Sequence, residues 1–341
     1  MKRYGRLWDE ILSIDNIKHA HKQARRGKAF YKEVQMVDAD LDKYASEIRR
    51  MLVTKTFTTS PYEVEERFDG RKMRTIYKLP YYPDRIVQHA LLAVVGPILT
   101  RSFIRDTFQS IERRGTSDAM RRVRKLVRSS DCPSYALKID IHKYYPNVQN
   151  AILKRQVRRK IKCDDTLWLI DNIIDSMQGL PIGNYTSQHL GNLYLNHFDW
   201  WVKQEVKPCG YFRYCDDIVV FGDDKNDLRR VKRLMSDKLD ELGLNIKPSW
   251  SIYDVKRQGV DFVGYVFSPN RTWLRRSIAV KFRRACNNLA VKIARLDPTR
   301  TLSAIMSYKG WARVCNAKML WRKNLKAVFY RAFPEQLRGS I

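Results

Sequence analysis

Acidic residues are scarce in this chain. Across 341 residues, 36 Asp and Glu face 65 Lys and Arg, leaving a formal net charge of +29. Such a surplus points to a polyanionic partner, because each phosphate contact releases condensed counterions. Long apolar runs are missing too. The most apolar stretch, IVQHALLAVVGPILT from Ile86, is broken by His89 and by Gly96-Pro97. It reads as a core helix and not as a membrane span. The opening, MKRYGRLWDEIL, has no continuous apolar region and no cleavage pattern, so no signal peptide is expected. The six cysteines (Cys132, Cys163, Cys209, Cys215, Cys286, Cys315) include no CxxC pair. They are expected as reduced thiols of a cytoplasmic protein without structural zinc. The length suffices for two or three subdomains around a sizeable core.

What is present reads as alternating helical and strand-like segments. Residues 1 to about 58 are basic, amphipathic and helical in pattern. PYEVEERFDGRKMRTIYKLP then shows two partly alternating runs joined by Asp69-Gly70, a hairpin signature. Its far arm carries Arg71, Lys72, Arg74 and Lys78. The stretch from Asp84 to about Val127 is helical, with a polar break at Arg113, Arg114 and Gly115. SYALKIDI from Ser134 reads as a short buried strand ending at Asp140, and GYFRYC with DIVVFG as a hairpin turning at two acids. Residues 226 to 243 form an amphipathic helix closed by Gly243. LNIKPSWSIYDV and VDFVGYVF are strand-like. From Arg275 onward sixteen Lys or Arg stand against Asp297 and Glu335.

Three adjacent aspartate pairs allow an internal comparison. Asp164-Asp165 precedes an apolar helix, where first-turn acids are favoured. Asp223-Asp224 follows a strand in a polar loop. Only Asp216-Asp217 lies inside an apolar run of β propensity, where an unneutralised charge is costly. Asp140 ends a similar run. If the two runs pair in one sheet, Asp140 and Asp216 converge at its rim, and two carboxylates with substrate phosphates suit Mg²⁺. Two metal ions there would activate a 3′-hydroxyl and stabilise the departing pyrophosphate.

At this point the residues resemble a known family. YCDD at Tyr214–Asp217 resembles the YxDD box of reverse transcriptases, and LKIDIHKYYPNV resembles their first catalytic motif. The resemblance implies an α+β right-hand polymerase with an antiparallel palm sheet. It implies an N-terminal helical extension (1–58), fingers (59–133, with a basic hairpin at 61–80) and a palm (134–270, with an insertion near 150–178). A basic helical thumb (271–341) completes it. Asp140, Asp216 and Asp217 would be the catalytic acids. Asp140, Asp216 and Ile141 would bind two Mg²⁺, with Mn²⁺ as a possible substitute. Lys72, Arg74, Tyr145, Ile182, Gly183 and Gln188 would surround the dNTP, with Tyr145 excluding a 2′-hydroxyl and Lys247 as a candidate general acid. Phe262, Val263, Gly264 and Tyr265 would form the primer grip. Arg113, Arg114, Tyr308, Trp311 and Arg313 would contact nucleic acid.

The loop between the acids narrows the resemblance. Most reverse transcriptases carry Gln-Gly followed by Ser-Pro, whereas PIGNYTSQ has Ile182 and Gln188 at those places. That form is similar to the reverse transcriptases of diversity-generating retroelements, which copy a template-repeat RNA into cDNA with errors at adenines. It implies template RNA, cDNA or primer, dNTPs and a small basic oligomeric accessory protein as partners, and no membrane. The alternatives are a retron-like or phage-defence reverse transcriptase, or a non-catalytic RNA-binding protein on the same scaffold.

Overall fold

Amphipathic periodicity in the N-terminal region becomes four helices, Trp8–Leu12, Ile14–Ala24, Lys32–Ala39 and Leu41–Val53. Asp40 caps the last, its carboxylate accepting the Lys43 amide, which satisfies a donor that the first helical turn leaves open. The computed structural model describes residues 3–68, 73–292, 307–308 and 310–324. No helix among them is long and apolar enough to cross a membrane. The Ile86–Thr100 stretch is a helix buried on nearly all sides, as its apolar run predicts.

Ten strands lie in the described residues: β1 (Glu63–Phe68), β2 (Met73–Lys78), β3 (Thr107–Phe108), β4 (Tyr135–Asp140), β5 (Gly210–Tyr214), β6 (Asp217–Gly222), β7 (Ser251–Asp254), β8 (Val260–Phe262), β9 (Tyr265–Phe267) and β10 (Thr272–Leu274). β1 and β2 make the basic hairpin in antiparallel register, from Glu63 opposite Lys78 to Phe68 opposite Met73. The Asp69-Gly70 turn lies outside the described residues. β8, β9 and β10 form a small sheet.

The central sheet has the order β3-β5-β6-β4-β7. Strands β5, β6, β4 and β7 are antiparallel as expected. β3 differs by pairing parallel to β5. The Thr107 hydroxyl there donates to buried Asp199 at 2.9 Å, an anchor that two residues of strand propensity do not announce.

IVVF in β6 shows why an unbroken apolar run makes this strand. Successive side chains point to opposite faces. Ile218 and Val220 enter one core with Leu137, Ile139 and Tyr211, while Val219 and Phe221 enter a second with Ala136, Phe212 and Phe262. Both faces are dry, so the strand needs no polar alternation.

The region 150–178 forms two helices, Asn150–Arg158 and Asp164–Asp175, with Asp164 and Asp165 in a first turn. It is tied to the base of the hairpin. The Thr59 amide donates to Asn172 at 2.9 Å, and the Tyr62 and Ser176 hydroxyls lie 2.7 Å apart. After β6, Asp224 caps helix Lys225–Asp240. Gly243 turns the chain at φ +68°.

Candidate active site

β4 and β6 are register partners along their length, and the last pair is Asp140 opposite Asp217. The sheet therefore brings acids remote in sequence to one rim. Asp216 stands in the two-residue turn between β5 and β6, since Tyr214 pairs with Asp217 across it. The Ile141 amide donates to the Asp216 carbonyl at 3.2 Å, closing the rim between the two strands.

The three acids have different surroundings. Lys247 places its ammonium on Asp140 Oδ1, and its amide donates to the Asp140 carbonyl at 2.8 Å. Lys138, two residues earlier on β4, meets Asp217 Oδ1 and lies 5.2 Å from the centre of the Phe262 ring. Burial pushes the Asp217 carboxyl up in pKa, and Lys138 opposes the shift. Asp216 is also pushed up, first by burial and then by the charge of Asp140. A carboxylate buried beside a second one at a sheet rim calls for a cation between them.

Among the described residues no group of three His, Cys, Asp or Glu side chains is placed to hold a metal. Mg²⁺ characteristically takes one or two protein carboxylates and fills its sphere with water and substrate phosphates. Asp140 and Asp216 fit that donor set, and Ile141 offers only a backbone carbonyl.

The turn itself is unusual. Cys215 adopts φ +58°, a left-handed conformation that costs a non-glycine residue about 1 kcal/mol. Its thiol donates to the Tyr145 hydroxyl at 3.2 Å. Burial pushes this thiol up to about 12, so it stays protonated as a donor. Tyr145 lies against Gly191, where an added Cβ would come within 3.4 Å of its ring.

Beneath the turn is a buried network in which Arg213 and Asp199 are both 0% exposed. Arg213 Nε donates to Asp199 Oδ1 at 2.8 Å, and Nη2 to Oδ2 at 2.6 Å. Nη1 donates to Asn192 Oδ1 at 3.1 Å and to the Cys215 carbonyl at 3.0 Å. The Tyr211 hydroxyl adds a 2.6 Å bond to Asp199. In sequence, a cation inside YFRYC is as conspicuous as the acids beside it. Asp199 carries no such mark.

Ile182 and Gly183 dock on the hairpin. The Tyr77 amide donates to the Ile182 carbonyl at 2.8 Å, and Arg85 reaches the Gly183 carbonyl at 3.4 Å. Gln188 is exposed, and its Oε1 accepts the Ser110 hydroxyl. Arg74 lies on β2 opposite Arg67, while Lys72 is outside the described residues.

Several other expected contacts go to packing. Phe262 and Tyr265 are 0% and 3% exposed, so their rings belong to a core, with the Val263-Gly264 turn between them. That turn lies under Trp311, whose ring stacks on Tyr265 at 5.3 Å. Tyr308 packs on Phe282. In the described residues both rings therefore pack against other side chains. Arg313 remains exposed. Arg114 donates to the Ile104 carbonyl at 3.0 Å, whereas the Arg113 side chain is 90% exposed beside Glu112.

Comparison with known proteins places this geometry in a family. Residues 68–267 match the family described as reverse transcriptase (RNA-dependent DNA polymerase). Protein YkfC of Escherichia coli (strain K12) is 26% identical over 141 residues, covering 37% of this chain and 36% of that protein. The match thus spans about a third of the curated relative. A solved apo telomerase from Candida tropicalis, truncated from its C-terminal domain, covers 67% of this chain and 59% of its own at 14% identity, with a TM-score of 0.48. The α+β architecture is that of a right-hand polymerase. With more than half of its length inside the family match and the paired acids at the rim of its central sheet, the chain belongs to the reverse transcriptases.

Proposed function

We propose that this protein is an RNA-directed DNA polymerase of a diversity-generating retroelement, which copies a template-repeat RNA into cDNA with errors at adenines. The observation that carries the polymerase reading is the convergence of Asp140 and Asp216 on one rim in a chain of net charge +29. Asp140 and Asp216 would hold Mg²⁺, or Mn²⁺ in its place. Bound there, the ions supply charge stabilisation and an activated 3′-hydroxyl.

The chain's own residues supply the rest. Lys247 at Asp140 holds a proton next to the departing pyrophosphate, and Arg74 with Lys72 offers cations to the triphosphate. Tyr145, braced by Cys215 and Gly191, stands where a 2′-hydroxyl would have to fit. Asp217, engaged by Lys138, braces the rim.

The retroelement subtype rests on Ile182, Gly183 and Gln188. A glutamine at Ile182 can hydrogen-bond the nascent pair, whereas isoleucine can only pack. Template RNA, primer or cDNA and dNTPs are the substrates in this reading. A small basic oligomeric accessory protein is the expected partner, in the cytoplasm of a bacterium or on behalf of a phage.

The test is primer extension on a defined RNA template with Mg²⁺ and four dNTPs, followed by sequencing. Wild type is run beside Asp216→Ala, with and without the accessory protein. Asp216-dependent product with errors concentrated at template adenines is expected. Accurate product would retain the polymerase and discard the subtype. No product from wild type under any condition would discard both.

A further inference from the structure

We infer that Arg213 is a positioning residue for the catalytic turn, holding the Cys215 carbonyl from below and, through it, the carboxylate of Asp216. The inference rests on the reading of Asp140 and Asp216 as metal ligands. A guanidinium has five N–H donors in a rigid fork. Here Nε and Nη2 engage the Asp199 carboxylate, Nη2 also approaches the Asn192 carbonyl at 3.4 Å, and Nη1 divides between Asn192 Oδ1 and the Cys215 carbonyl.

The fork is itself immobilised. Asp199 accepts from the Tyr211 and Thr107 hydroxyls, and Asn192 Nδ2 donates to the Gln109 carbonyl at 2.9 Å. The fork's remaining bond goes to the turn, where Cys215 is held at φ +58°.

Stability alone does not account for this arrangement. A fully buried ion pair can often be replaced by apolar residues at no loss of stability, and a polar network around one buried arginine is a costly way to fill a core. What the arrangement does provide is a fixed address for the Cys215 carbonyl, one peptide from Asp216. Partners one step removed from a ligand set its orientation, and losing them weakens metal affinity or activity about ten- to a hundredfold.

The experiment reads Mn²⁺ binding to the intact protein by electron paramagnetic resonance, with thermal midpoints measured in parallel. Arg213→Lys leaves a charge for Asp199 but too few donors for the fork. Arg213→Met combined with Asp199→Leu removes both charges together and strands neither, so it carries the test if the lysine variant does not fold. Tyr211→Phe is the control, because it removes a bond to the same buried carboxylate and touches no atom of the turn. Asp216→Ala marks the affinity of a broken site.

The folded Arg213 variant is expected to bind Mn²⁺ about ten- to a hundredfold more weakly than wild type. Tyr211→Phe should stay within about twofold at a similar thermal midpoint. Wild-type affinity in either folded Arg213 variant overturns the inference, as does an equal loss in Tyr211→Phe or an affinity that Asp216→Ala leaves unchanged. Primer extension with the same proteins separates the two readings. If wild type binds Mn²⁺ through Asp216 but makes no product, the polymerase reading fails and the positioning of Asp216 is still decided by the titration.

Discussion

The Ile182 carbonyl accepts the Tyr77 amide at 2.8 Å, so the loop between Asp140 and Asp216 is stitched to the hairpin that carries Arg74. Gly183 makes this approach possible. It adopts φ +131°, and a Cβ there would stand 2.3 Å from the Tyr77 carbonyl oxygen. Gly183→Ala is therefore expected to separate loop and hairpin. It should cost about 1–3 kcal/mol of stability and raise KM for dNTP, measured by thermal unfolding and steady-state incorporation.

Ile182 is half-buried and is held by its backbone, so its side chain can be changed without releasing the loop. Ile182→Gln is expected to lower misincorporation opposite template adenine. One recovered hydrogen bond of about 1 kcal/mol corresponds to roughly fivefold. Product sequencing checks it, and an unchanged error rate at adenine removes Ile182 as the cause.

Tyr145 is braced from two sides, by the Cys215 thiol and by Gly191. Tyr145→Ala should leave dNTP incorporation measurable and raise ribonucleotide incorporation relative to it by at least about tenfold. Competition between matched rNTP and dNTP reads this directly.

The strands that carry Asp140 and Asp217 are legible because an acid inside an apolar run is a conflict between local propensity and chemistry. Asp140 and Asp216 stood out in that way. The hairpin and the N-terminal helices followed from periodicity and turn residues. Aromatic roles are not legible in the same way: Tyr265, Trp311 and Tyr308 look the same in sequence whether they face a duplex or other side chains. Only the three-dimensional packing of their neighbours decides. Asp199 was unreadable because its partners lie on β3 and β5.

The β8–β9 turn gives a stability prediction. Val263 has φ +44° and Gly264 φ +87°, the two left-handed positions of a two-residue hairpin loop that favours Asn-Gly. A β-branched residue is poorly suited to the first. Val263→Asn is expected to stabilise the protein by about 1 kcal/mol, seen as a rise of about 2 °C in thermal midpoint.

His89 and His189 flank Tyr185, His89 stacked on its ring at 3.7 Å. Burial pushes both histidines down to about 4. The folded state thus binds fewer protons than the unfolded chain between that value and the ordinary pKa near 6.5. Their stabilising contribution is complete above pH 6.5 and is lost as pH falls towards 4. The slope is at most about 1.4 kcal/mol per pH unit for each histidine. Thermal midpoints at pH 7 and pH 5 should diverge, and His189→Gln should narrow the gap.

The register of β4 against β6 has a consequence for biosynthesis. Asp140 leaves the ribosome 77 residues before the Asp217 it will face, and β4 has no β6 edge to pair with until that later strand exists. Every helix of the intervening stretch must be closed into a loop first, an entropic cost met only by long-range pairing. A nascent chain is therefore catalytically inert through the greater part of its synthesis. On the proposed reading, a basic polypeptide emerging beside RNA would gain the ability to copy it only when the central sheet closes.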